Sequence, residues 1–213
     1  MPRRIGLPIR AAAFSCLIAA LLAAQPASAH RRAANADDSG IAIPALTHGQ
    51  MAVIADHRAE ILALAARLPR TDERFRRLLN FGKLQHTYCL WGLVPGSLRD
   101  EASPFNECSH AYLSATQALL VAMRNMNDPR SPLGGEIEAL VSRIDAEMVR
   151  KGASFVLCQY SADGFNTASL VRPDLAAVPF HAPSAFSFAA LALAMGAGVV
   201  GLARGRTSRQ AAP

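Results

Sequence analysis

Three thiols and one imidazole give this sequence its clearest opening for chemistry. Cys89, Cys108 and Cys158 remain once an N-terminal leader carrying Cys16 is set aside, and His86 stands three residues before Cys89. In an oxidising compartment such cysteines pair. A Cys89–Cys108 bridge would close the loop that runs through Trp91 and Ser103. The chain-entropy model gives it a stabilisation of about 3 kcal/mol. Cys158 would then be a free buried thiol, or the partner in an alternative pairing. The competing reading is a metal centre, because Cys89, Cys108, Cys158 and His86 form a Cys₃His set suited to zinc. Those ligands come from three separate segments rather than from tight Cys-x-x-Cys loops. No Cys-x-x-Cys-His motif is present, so a haem would be held without covalent attachment, by His86 or by Met123 and Met148. A third use, attack of Cys158 on the bridge, needs an accessible thiol of lowered pKa, and Phe155 one turn away argues for burial.

Four further clusters carry weaker signals. Asp56, His57 and Glu60 put two carboxylates beside a histidine, as a metal would need, and equally as a solvated helix face would. Glu107-x-x-His110 is half of a di-iron motif, which requires a second copy and two more inward carboxylates. Arg67, Arg70, Arg74, Arg76 and Arg77 crowd one hinge, either as an anion site or paired with nearby acids. His30 becomes the first residue if the leader is cleaved, but no fixed ligands follow it. No phosphate-binding glycine loop, nucleophile elbow or His-Glu-x-x-His occurs, so an enzyme is the least favoured class.

The elements that must position these residues are helical. Residues 1–29 read as a signal peptide: Arg3, Arg4 and Arg10, an apolar run from Ala11 to Ala24, then Ala27-Ser28-Ala29 for cleavage. Residues 30–45 read as a flexible arm. Residues 46–162 carry four amphipathic patterns. The first is capped by Thr47 and ends before Pro69. The second starts at Thr71-Asp72-Glu73 and breaks at Pro95-Gly96. Its face from Phe75 holds Leu78, Leu79, Gly82, His86, Cys89 and Leu93. The third starts at Ser103-Pro104 and runs through Phe105, Cys108, Tyr112, Thr116, Leu119, Met123 and Met126, with Glu107 and His110 off that stripe. The fourth starts near Pro132 and carries Ile137, Leu140, Val141, Ile144, Met148, Phe155 and Cys158, with Gly152 loosening it midway. Short turns between them predict an all-α, antiparallel up-down four-helix bundle, with all three cysteines at one pole beside His86 and His48.

Residues 163–183 read as an irregular linker and residues 184–203 as a transmembrane helix, uncharged and about 30 Å long. Arg204, Arg206 and Arg209 follow it, which places the tail, residues 204–213, in the cytoplasm. Of the 22 Lys and Arg, three lie in the leader and three in the tail. That leaves 16 against 16 Asp and Glu in the exported part, so the net +6 marks targeting rather than a nucleic-acid surface. The expected molecule is a single-pass inner-membrane protein with a periplasmic binding, sensing or assembly module and no resident cofactor. Its contact surface would be Trp91, Phe105, Asp100 and Glu101 near the membrane-facing pole, with Tyr112 packing behind it. Small residues four apart in the span (Ala192/Gly196, Ala194/Gly198, Ala197/Gly201) would allow a homodimer through it.

Overall fold

The structure is a computed structural model that describes residues 40–152 and 164–209, with side chains as far as residue 201. The leader, most of the arm, and Phe155 and Cys158 lie outside the described residues. The chain is mostly helical. In order it forms β1 (Ala42–Ile43), α1 (His48–Ala66), α2 (Glu73–Tyr88), a tight turn at Leu90–Gly92, α3 (Asn106–Met126), α4 (Pro132–Arg150), β2 (Phe165–Asn166), a 3₁₀ segment at Leu175–Phe180 and α5 (Ala182–Arg209).

Local chemistry sets the helix starts. Thr47 closes a capping box: its hydroxyl accepts from the Gln50 backbone amide, and the Gln50 side-chain Oε1 accepts from the Thr47 backbone amide at 2.9 Å. Asp72 caps α2 by accepting from the Phe75 amide at 2.7 Å. Ser131 caps α4 by accepting from the Gly134 amide, with Pro132 at the first helical position, where its missing N–H costs nothing. The third helix behaves otherwise. Ser103 turns the chain back on itself through its carbonyl, which accepts from the Asn106 amide, so α3 starts at Asn106 without a side-chain cap.

The helices α1 to α4 share one core. Met51, Ile54 and Ile61 of α1, Phe75 and Leu78 of α2, Leu113, Leu119 and Met123 of α3, and Ile137 and Leu140 of α4 are fully buried in it. Helix α3 is the central member, touching α1, α2 and α4. From Cys108 to Thr116 every one of its residues is buried, so this half of the helix has no solvent face. The sequence marks it: no charged residue stands between Glu107 and Arg124.

Several expectations change. The buried line of α2 runs through Phe75, Leu78, Phe81, Gln85 and Cys89, about 60° around the helix from the line through Gly82 and His86. Gln85, not His86, is therefore the fully buried residue of that turn. The helix also ends at Tyr88, with Cys89 as its C-cap, rather than running to Pro95. Leu93, expected on the core face, is 75% exposed as a result. Gly152 ends α4 instead of loosening it. Its φ of +60° gives the left-handed stop residue, and its amide bonds back to the Val149 carbonyl at 3.1 Å.

The segments on either side of these helices are not loose. Ile43 and Leu46 are buried in the core, and β1 pairs antiparallel with β2, Ala42 opposite Asn166 and Ile43 opposite Phe165. Ile41 adds two bonds to Thr167, one to its hydroxyl and one to its amide. The end of the expected arm and the start of the expected linker thus hold each other down.

Candidate functional site

The chemistry-bearing residues collect where α2 ends and α3 begins. Cys89 and Cys108 are joined, with sulfurs 1.98 Å apart and Cα atoms 5.7 Å apart. Both are buried. Their sulfurs are bonded to one another, so neither offers a thiolate to a metal in this state. Gln85 lies against the bridge, its side-chain nitrogen 3.1 Å from the Cys108 sulfur and 3.6 Å from that of Cys89. The same amide grips the chain beyond β2. It donates to the Val171 carbonyl at 2.6 Å, and its oxygen accepts from the Val171 amide at 2.9 Å. A side-chain amide carries a donor and an acceptor side by side, so Gln85 mimics a strand partner for one residue.

Beyond the bridge the backbone is strained. Leu90, Trp91 and Gly92 have φ of +51°, +55° and +66°, three left-handed residues in succession. For the two that are not glycine this costs about 1–3 kcal/mol each. Gly92 needs its place for a second reason: a Cβ there would stand 3.0 Å from the Tyr112 hydroxyl. His86 meets the Tyr112 ring edge-on, with centroids 4.8 Å apart, and Arg58 lies over the same ring at 5.5 Å. Burial, then the nearby Arg58 charge, lowers the His86 pKa to about 4, against a hydrogen bond with the Trp91 backbone that works the other way. Trp91 itself is 56% exposed.

A polar group sits at the start of α3. Asn106 is buried, and its side-chain nitrogen donates to the Ser97 carbonyl at 3.1 Å and reaches His48 Nε2 at 3.3 Å. His48 Nδ1 lies 3.6 Å from the Glu101 carboxylate, and the His48 and His110 rings are 5.0 Å apart. His110 is completely buried, which corrects the expectation that it lies off the core stripe. Burial, with His48 beside it, lowers its pKa to about 4, opposed by a hydrogen bond with the Leu46 backbone. Glu107, one turn before His110, is exposed.

The root of α5 is fastened here as well. His181 Nε2 is 2.8 Å from Asp100 Oδ2, and its Nδ1 is 2.7 Å from the hydroxyl of the buried Ser184. The hydrogen bond with His181 lowers the Asp100 pKa. The Asp174 amide donates to the Pro104 carbonyl, and the Phe188 ring stacks on Phe105, centroids 6.1 Å apart. Phe105 is fully buried, so it is a packing residue and not an open contact surface. Of the expected contact residues, Trp91 and Glu101 are exposed, Asp100 is half-buried and engaged, and Tyr112 is buried. Periodicity alone could not find Gln85, His181 or Ser184, because a single polar residue in a helix or linker gives no pattern.

The acid and histidine cluster of α1 resolves into ion pairs with the α4 region. Asp56, His57 and Glu60 on α1 meet Lys151, Glu147 and Arg143 of the α4 region. His57 Nε2 lies 2.9 Å from Glu147, and bonds from Lys151 and then His57 lower the Glu147 pKa to about 2. Arg67 grips Glu136 with two nitrogens, and Arg77 pairs with Glu73 one turn away. Among the described residues no group of three or more His, Cys, Asp or Glu is arranged to hold a metal ion. Met123 and Met148 are both core residues. A cavity of about 390 Å³ opens between the β1 strand and α3, with Arg74, Gln117, Val121 and Asn125 in its lining. The buried Ser114 also borders it, and its hydroxyl has no hydrogen-bond partner among the described residues.

No family model, curated protein or solved structure matches this chain.

Proposed function

We propose that the protein is a single-pass envelope protein of the inner membrane: an exported four-helix bundle, held by the Cys89–Cys108 bridge, that acts as a binding, sensing or assembly module on a C-terminal membrane helix. The observation that carries this reading is the contrast along α5. Its Ala182–Gly201 stretch is apolar and long enough to cross a bilayer, and almost all of it is exposed. Its first turns alone are tied down, through His181 to Asp100, Ser184, and Phe188 to Phe105. A core helix would be buried along its length; a span rooted in the module would be apolar and bare beyond the root. The disulfide agrees with an exported location. The basic residues after the span agree with a cytoplasmic tail.

The test is topology in whole cells. The full chain, tagged at its C-terminus, should stay in the membrane through alkaline carbonate extraction. Protease added to spheroplasts should digest the helical module and leave the tag intact. Release by carbonate, or loss of the tag with the module preserved, would overturn the reading.

A further inference from the structure

We propose that the edge of the module formed by Leu84, Tyr88, Trp91 and Leu93 is seated in the interfacial layer of the lipid bilayer, with Trp91 as its anchor. The inference rests on the anchoring reading above and adds a second lipid contact, made by the module itself. Three observations carry it. Leu84 and Tyr88 lie one turn apart on α2, Trp91 and Leu93 follow in and just after the next turn, and all four are exposed apolar residues, 54%, 40%, 56% and 75% exposed.

Half of the strip, Trp91 and Leu93, also lies in the same disulfide-closed loop as the residues that grip the span. Trp91 and Leu93 follow Cys89, while Asp100, Pro104 and Phe105 precede Cys108, and the two cysteines are bonded. Finally, the loop reaches down to membrane level. Phe105 stacks on Phe188, six residues past Ala182, which is about 9 Å along the apolar helix. A span that enters the bilayer near Ala182 therefore brings the Phe105 end of this loop, three residues from the bridged Cys108, to a depth typical of interfacial insertion, about 5–10 Å. Tryptophan and tyrosine favour that layer because one end of each ring system is apolar and the other polar. Exposed Lys83 and Arg99 flank the strip and suit phosphate headgroups.

Trp91 is the sole tryptophan in the sequence, which makes the test direct. The full chain is placed in nanodiscs of phosphatidylethanolamine and phosphatidylglycerol, with and without dibrominated acyl chains. Trp91 emission should be blue-shifted, with a roughly twofold loss in the brominated discs, as for an interfacial indole. A Trp91→Phe, Ala63→Trp variant moves the probe to an exposed site late in α1. Its emission should not respond to bromine. Unquenched Trp91 in a chain that stays with the discs overturns the inference and leaves the anchoring reading standing. Blue-shifted but unquenched emission means that protein, a second copy included, covers the strip, and overturns it equally. Equal quenching at both positions also overturns it. A chain that does not stay with the discs refutes the anchoring reading, and this inference falls with it.

Discussion

His110 shows how much one buried imidazole can couple folding to pH. Its neutral form is the one the core accepts: burial and the neighbouring His48 bring its pKa from 6.5 to about 4. The unfolded chain takes up a proton near pH 6.5, and the folded chain resists until about pH 4. Between those values the unfolded state holds more protons, so stability is full above pH 6.5 and falls as pH drops toward 4. From pH 7 to pH 5 this one group should remove about 2 kcal/mol. His86, lowered in the same direction, adds to the trend by less because it is half exposed. A His110→Asn variant, followed by urea unfolding in mild detergent across that range, should show a correspondingly flatter pH dependence whatever its absolute stability. Parallel profiles for the two proteins would mean that His110 is not the group responsible.

At the scale of elements, two adjacent glycines in α4 make a matched pair. A Cβ on Gly134 would sit 2.0 Å from the Asp128 carbonyl oxygen, in the turn that feeds Ser131 into its cap. A Cβ on Gly135 would meet nothing closer than 3.8 Å. Gly135→Ala should therefore stabilise by about 0.5–1 kcal/mol, the ordinary gain in a helix. Gly134→Ala should destabilise by about 2 kcal/mol or more, because backbone must move. Thermal unfolding of both variants tests the sign of each. This pair also shows what sequence can and cannot disclose. The Thr47 cap is legible because capping needs only residues three apart, whereas the cap of α2 falls on Asp72 rather than on Thr71, Ser131 reads only as part of a turn, and Ser103 does not cap α3. Gly134 and Gly135 are indistinguishable until the preceding turn is folded against one of them. The third helix exposes the same boundary. A single apolar stripe was the natural reading of Cys108 through Met123, yet three neighbouring helices bury its other sides too, and His110 goes inside with them. The missing charge between Glu107 and Arg124 was the available clue. Gln85 had none, since its partner Val171 lies 86 residues away.

For the whole molecule, the bridge and the segment leading to α5 form one mechanical unit. Cys89–Cys108 closes a loop with a sequence separation of 19 residues, for which the chain-entropy model gives about 3 kcal/mol. Replacing both cysteines with alanine should lower stability by about that amount. The location of the loss is more telling than its size. Gln85 touches both sulfurs and holds Val171 by its amide and carbonyl. Loosening the α2–α3 junction therefore loosens that grip, and with it the chain that runs through Asp174 and His181 to the root of α5. In the double variant, amide exchange should quicken across residues 164–181 while residues 132–150 keep their protection. Were residues 164–181 an independent tether, their exchange would be fast in the native protein and unchanged by the substitution. Exchange that is slow with the bridge and fast without it means that the module and the helix meet at a fixed joint, so that events at the Trp91 loop bear directly on the base of α5.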